Sequence, residues 1–260
     1  MGKFEYVDMH FHGSFLENEE AFLAKCEKLG IASLCVDVDL SDDDSVASFQ
    51  ALGFHPWWVD KYHNEELRVK VNRFIDLLPN FKHFGELGLD FSKKYEANSS
   101  KQLKIFVMLI KLILGSQLIK TGFKPCVSLH AYKANDIVLD QLEEINATRH
   151  MNIILHSFNG SQRELNRAIK LGCYFSFGIK NLETKKGRDY IQKIPLDKLL
   201  LESDLPKEEG DSALTPEEYK SILEDTVVKI HELRKDKDAL ELLEFRQLLA
   251  DNAIDRLNGE

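Results

Sequence analysis

Phe4-Glu5-Tyr6-Val7-Asp8-Met9-His10-Phe11-His12 reads as a β-strand that closes on two histidines, and this reading decides the fold. Residues two apart on a strand point to the same side. His10 and His12 therefore present two imidazoles to one face, with Asp8 below them. Seven more short apolar runs follow, over residues 31–38, 48–56, 81–90, 125–131, 152–158, 173–178 and 199–204. Four of them carry a further metal-seeking side chain toward the C-terminal end: Glu86, His130, His156 and Asp204. Segments with helical periodicity lie between the runs, among them 19–29, 101–119 and 164–171. Strands alternating with helices predict βα units and a parallel sheet. Eight such units predict an α/β fold, a single (β/α)8 barrel of the TIM type forming one domain over residues 1–260.

Length and composition agree with this. A barrel of this type needs about 250 residues, and the chain has 260, 43% of them hydrophobic, enough for a large shared core. No long uncharged apolar stretch predicts a membrane span, and no secretory signal core precedes the first strand. Cys26, Cys35, Cys126 and Cys173 stand far apart without a C-x-x-C pattern, so reduced core thiols in a cytoplasmic protein are expected. The expected assembly is a monomer or a weak oligomer. The net charge of −9 argues against simple coating of duplex nucleic acid. It leaves room for a metal-dependent nuclease, because two dications offset about four charges where a phosphate must approach.

Local signals mark several helix ends. Ser161 and Glu164 form a capping box, Gly172 and Gly30 are stops, and Thr215-Pro216-Glu217-Glu218 opens a C-terminal helix. The charged run 234–238 is expected to be a solvated turn between two C-terminal helices.

Barrel active sites lie at the C-terminal ends of the strands, so His10, His12, Glu86, His130, His156 and Asp204 converge on one mouth in this reading. A lone buried Glu86 would be costly without a cation or a hydrogen-bond partner. Its two oxygens suit it to bridge two metals. Asp204 would orient or deprotonate a water held there. Imidazole and carboxylate donors without thiolate suit two divalent ions, Zn, Mn or Mg. Glu202 shares a face with Asp204 and is expected to hold a ligand in place.

Together these motifs resemble the TatD-type metal-dependent deoxyribonucleases, a branch of the amidohydrolase-like barrels. The resemblance rests on Asp8 to His12, Gly53-Phe54-His55-Pro56, Gly85-Glu86-Leu87-Gly88-Leu89-Asp90, Gln102 with Phe106, and Ser128-Leu129-His130. It continues through His156 to Ser161, Tyr174 to Gly178, Leu199 to Pro206, and Asn252-Ala253. The resemblance implies a phosphodiester hydrolase acting on single-stranded DNA, often from a 3′ end. It assigns His10, His12, Glu86 and Asp204 to one metal and Glu86, His130 and His156 to the other, with His55 near the scissile phosphate.

Three departures concern substrate contacts. Tyr132 and Lys133 follow His130 where the family often has arginine, the segment 207–211 is acidic, and Trp57-Trp58 stands where another histidine is common. A barrel hydrolysing a small ester, lactone or amide is one rival reading. Against it, Glu86 occupies the position of the bridging lysine in many such barrels, and Lys133 stands where deaminases carry glutamate. A non-catalytic partner-binding scaffold is the second rival.

Overall fold

The structure is a computed structural model that describes residues 4–38, 49–207, 210 and 212–260. Its strands are β1 Tyr6–Phe11, β2 Ile31–Val38, β3 Phe49–Leu52, β4 His83–Asp90, β5 Cys126–Tyr132, β6 Asn152–His156, β7 Tyr174–Phe177 and β8 Leu199–Leu201. They pair in sequence order, all parallel, and β1 meets β8 through Asp8 and Leu201 to close the barrel. The α-helices are α1 Glu19–Lys28, α2 Trp58–Lys61, α3 Asn64–Leu77, α4 Ser99–Leu114, α5 Gln117–Lys120, α6 Asn135–Glu144, α7 Gln162–Leu171, α8 Ile179–Glu183, α9 Lys185–Lys193, α10 Pro216–Asp238 and α11 Leu242–Leu257. No helix among the described residues is long and apolar enough to cross a membrane.

Alternation along the strands divides the buried apolar residues into two cores. Phe84, Leu87, Val127, Leu129, Phe175 and Phe177 pack with helix residues such as Phe74, Phe106, Leu139 and Leu223. The opposite positions, including Val7, Met9, Leu34, Cys126, Ile154 and Leu200, form a second cluster capped by Ala253 and Leu257 of α11. Each large apolar side chain buried this way contributes roughly 1.5–3 kcal/mol over leaving it exposed.

Three ladders slip out of strict register, and the slips in β4 and β1 matter for the site. In β4 the register shifts between Phe84 and Leu87, which turns Glu86 away from its apolar neighbours. Gly85 sits at the slip with φ +141°, where a Cβ would meet Ser128 at 2.8 Å. In β1 the shift lies between Asp8 and Phe11. It corrects the expectation that Asp8 shares a face with the imidazoles. The Asp8 carboxylate turns to α10, where the Tyr219 hydroxyl donates to it at 2.7 Å. Burial pushes that carboxyl up to about 6.

The capping signals at Ser161, Thr215, Gly172 and Gly30 take the conformations expected of them. The run 234–238 does not. It is the last turn of α10, and Arg234 is buried. The Arg234 guanidinium pairs with Asp238 at 2.6 and 3.0 Å, one helical turn on, and donates to the carbonyls of Ile191 and Ile194. The acceptors that make burial tolerable come from α9 and the residue after it, which lie far away in sequence. The third expected strand shrinks to Phe49–Leu52, and its first position, Ser48, lies outside the described residues. So do residues 208, 209 and 211 of the acidic segment. The helix expected over 101–119 is divided at Gly115 and Ser116 into α4 and α5.

The four cysteines are free and buried. Burial pushes the thiols of Cys26 and Cys173 up to about 12 and raises those of Cys35 and Cys126 as well.

His83, at the start of β4, is 3% exposed, and its Nδ1 accepts the Cys126 N–H at 3.2 Å. Burial, with Lys82 nearby, lowers its imidazole to about 4, against about 6.5 in an unfolded chain. The unfolded state therefore binds more protons between these values. Stability from neutral His83 is complete above pH ~6.5 and is lost as pH falls toward ~4, about 3 kcal/mol in all. Urea denaturation of wild type and His83→Gln across that window will show a shallower acid slope in the variant. Parallel slopes would refute the assignment.

Candidate metal centre

The strand ends bring their polar side chains to one mouth of the barrel. His10 and His12 come from β1 and the residue after it, with rings 5.0 Å apart and edge to face. His10 stacks on His156 at 3.7 Å. Glu86 stands at the centre, 2% exposed. Its Oε2 lies 3.4 Å from Nε2 of both His10 and His55. Its Oε1 lies 2.7 Å from Nδ1 of His130 and 3.8 Å from Nε2 of His156. Asp204 Oδ1 is 3.4 Å from His12 Nε2. His12, His55, Glu86, His130, His156 and Asp204 thus line one cavity of about 760 Å³, and the buried His10 lies against them.

Donor atoms close enough to share an ion fall into overlapping sets: His10, His12 and Glu86; His10, His156 and Asp204; His55, Glu86 and His130. Asp204 sits beyond the end of β8 with φ +57°, a left-handed conformation that few non-glycine residues adopt. Gly88, φ +142°, pairs with His130 across the β4–β5 ladder, and a Cβ there would meet the His130 carbonyl oxygen at 2.0 Å. Close approach of these two backbones sets the position of His130 beside Glu86.

A surrounding layer fixes the rings. His10 Nδ1 meets Ser128 Oγ at 2.9 Å, which leaves Nε2 toward Glu86. His156 Nδ1 lies 3.0 Å from Glu202 Oε2, which also accepts from Ser176 Oγ at 2.5 Å and from the Ser157 N–H at 3.3 Å. Glu202 therefore holds His156, as its position two residues before Asp204 suggests. The Trp57 N–H donates to His55 Nδ1 at 3.2 Å. A neutral His55 thus carries its proton on Nε2, facing Glu86 and the cavity.

Asp90 had no assigned role in the sequence. It lies 3.3 Å from His130 Nε2 and accepts the Trp57 indole N–H at 2.7 Å. Strand periodicity held the signal, since Glu86, Gly88 and Asp90 occupy alternate positions at the end of β4. Lys180 Nζ pairs with Asp204 Oδ2 at 2.7 Å, so its charge is committed at the cavity wall.

The electrostatics are those of crowded acids and imidazoles. Burial opposes ionisation of Glu86, but His55, His10 and His130 outweigh it and hold the carboxyl well below the usual range. Asp204 is also lowered, by His12, His156, His10 and Lys180 against burial. Burial acts against charge on His130 and His156 too. Asp90 and Glu86 nevertheless raise His130 to about 9, and Glu202 and Glu86 raise His156 to about 10. Burial and the adjacent His156 lower His10. The buried His10 Nε2 has no hydrogen-bond partner among the described residues. An unpartnered imidazole nitrogen facing a buried carboxylate, in a nitrogen and oxygen donor set, fits a divalent cation.

The match to known proteins covers nearly the whole chain. The model of the family described as TatD related DNase matches residues 7–254. The chain is 26% identical over 217 residues to the uncharacterized metal-dependent hydrolase YjjV of Escherichia coli, covering 77% of this chain and 79% of that protein. It is 25% identical over 221 residues to the human deoxyribonuclease TATDN3, covering 77% of each. The deoxyribonuclease Tat-D of Schizosaccharomyces pombe shares 31% over 123 residues, spanning 47% of this chain and only 37% of that protein. The crystal structure of the Escherichia coli YjjV protein superposes with a TM-score of 0.76 over 98% of both chains at 23% identity, a likeness of fold. With a match running from the first strand into the last helix, this chain belongs to the TatD related DNase family of metal-dependent hydrolases.

Proposed function

We propose that this protein hydrolyses phosphodiester bonds in DNA, working on an unpaired strand from its 3′ end with two divalent ions. One observation carries the reading: the two oxygens of Glu86 face different histidines, Oε2 toward His10 and His55 and Oε1 toward His130 and His156. A carboxylate placed this way can serve two ions at once. His10, His12, Glu86 and Asp204 would hold one, and Glu86, His130 and His156 the other. The relatives' names, deoxyribonuclease and metal-dependent hydrolase, support the same chemistry.

Two such cations would supply the charge that polarises a phosphoryl oxygen and the acidity that makes water a nucleophile near neutral pH. The chain's own residues do the rest. Asp204, held ionised by its neighbours, takes the proton of the attacking water as the new P–O bond forms. The bond to the 3′ oxygen breaks, and that leaving oxygen takes up a proton from solvent. His55, with its proton on Nε2, donates to a phosphoryl oxygen as charge builds there. Glu202, Ser128 and Asp90 lock the rings of His156, His10 and His130, so little reorganisation is left for the reaction.

The test is turnover by protein reconstituted with Zn²⁺, Mn²⁺ or Mg²⁺, comparing a labelled single-stranded oligonucleotide, bis(p-nitrophenyl) phosphate and a panel of esters, lactones and amides. Stepwise shortening of the oligonucleotide from its 3′ end is the expected result. Rapid ester, lactone or amide hydrolysis with inert phosphodiesters would overturn the proposal.

A further inference from the structure

We infer that Trp57 is the stacking platform for an unpaired base of the DNA strand, an inference that rests on the nuclease reading and adds how the strand is recognised. Trp57 is 44% exposed and lines the same cavity as Glu86, His130 and Asp204. Its ring is held firmly. Tyr95, which is buried, stacks on it at 5.2 Å with 20° between the planes. The indole N–H is spent on Asp90 at 2.7 Å, and the His55 ring meets it edge to face at 4.6 Å. Lys94 Nζ lies 5.8 Å from the ring centroid, and what Trp57 itself offers a ligand is aromatic surface with its own donor already engaged.

This arrangement selects a ligand class. An aromatic surface without a free hydrogen-bonding group recognises a flat ring by stacking and reads no base edge, so it tolerates any base but needs the base unstacked from a duplex. Its ring is fixed before the ligand arrives, so little ordering cost falls on binding. Lysines on the same cavity wall supply what the flanking phosphates need. Lys70 Nζ lies 4.8 Å from the Trp58 ring and 4.6 Å from the Tyr62 ring, and it has no carboxylate partner among the described residues. Lys61 lines the cavity beside it. Against a net charge of −9 over the whole chain, these lysines put positive charge at the groove wall.

Trp57→Phe and Trp57→Leu both delete the bond to Asp90, and of the two only Phe keeps an aromatic face. The probe is a fluorescein-tagged, phosphorothioate-linked decathymidylate, titrated by anisotropy beside its blunt duplex with decadeoxyadenylate. Trp57→Leu will bind the single strand about 5- to 100-fold more weakly than Trp57→Phe, the range expected for one stacked base. The two variants will bind the duplex alike. Quenching of indole emission by the single strand, present in wild type, will shrink in Trp57→Phe. Equal single-strand affinities for Phe and Leu, or the same difference on the duplex, would overturn the inference. A wild-type enzyme that cleaves neither an oligonucleotide nor bis(p-nitrophenyl) phosphate defeats the hydrolase reading and leaves this affinity comparison intact.

Discussion

Asp204→Asn will leave a folded protein that turns over phosphodiesters roughly 10²–10⁴-fold more slowly, the range for losing a positioned proton acceptor. The substitution keeps the size of the side chain and removes its charge. An amide accepts no proton near neutral pH and offers a metal a weaker donor. It also suits the backbone, because asparagine is among the few residues enriched in the left-handed region that residue 204 occupies at φ +57°. Loss of the partly exposed pairs with Lys180 and His12 costs about 1 kcal/mol. Melting should therefore move by only about 2–4 °C. Steady-state kinetics with saturating metal, run beside a thermal melt, separates chemistry from folding. Turnover within threefold of wild type would remove Asp204 from the reaction.

Gly88→Ala acts on the scaffold and will be strongly destabilising. The added carbon would lie 2.0 Å from the His130 carbonyl oxygen and 2.9 Å from the adjoining His130 backbone atoms. Both sides of the clash are main chain in a paired ladder, so neither can rotate away. Strain at φ +142° adds to it. Together these cost on the order of 3–5 kcal/mol. Gly122→Ala is the control, with φ +90° and nothing within 4 Å of the new carbon. It pays only the left-handed penalty, roughly 1–2 kcal/mol. Denaturant midpoints for both variants decide the matter, and equal losses would show that conformation, not contact, makes residue 88 glycine.

Most of the architecture was legible because its signals are local and repeated. Eight apolar runs of strand length, separated by helical periods, leave few alternatives to a parallel barrel. The mouth was legible because polar side chains at apolar strand ends are expensive, so Glu86, His130, His156 and Asp204 stand out against their neighbours. Non-local features were not legible. The slip in β1 that turns Asp8 toward Tyr219 depends on how two ladders meet, and no spacing encodes it. Arg234 read as solvated because its acceptors, the carbonyls of Ile191 and Ile194, belong to a segment some forty residues away. His55 lies beyond the end of β3, where periodicity gives no direction, and the family pattern alone marked it. Asp90 could have been found by counting alternate positions from Glu86.

The buried thiols have a practical consequence. Cys26 lies in α1, Cys35 in β2, Cys126 in β5 and Cys173 just before β7, so the wall carries reporters on several sides. With access closed and almost no thiolate near pH 8, a sulfhydryl reagent must wait for its neighbourhood to open. Labelling rates, resolved cysteine by cysteine, then time the breathing of each stave of the barrel without any engineered probe.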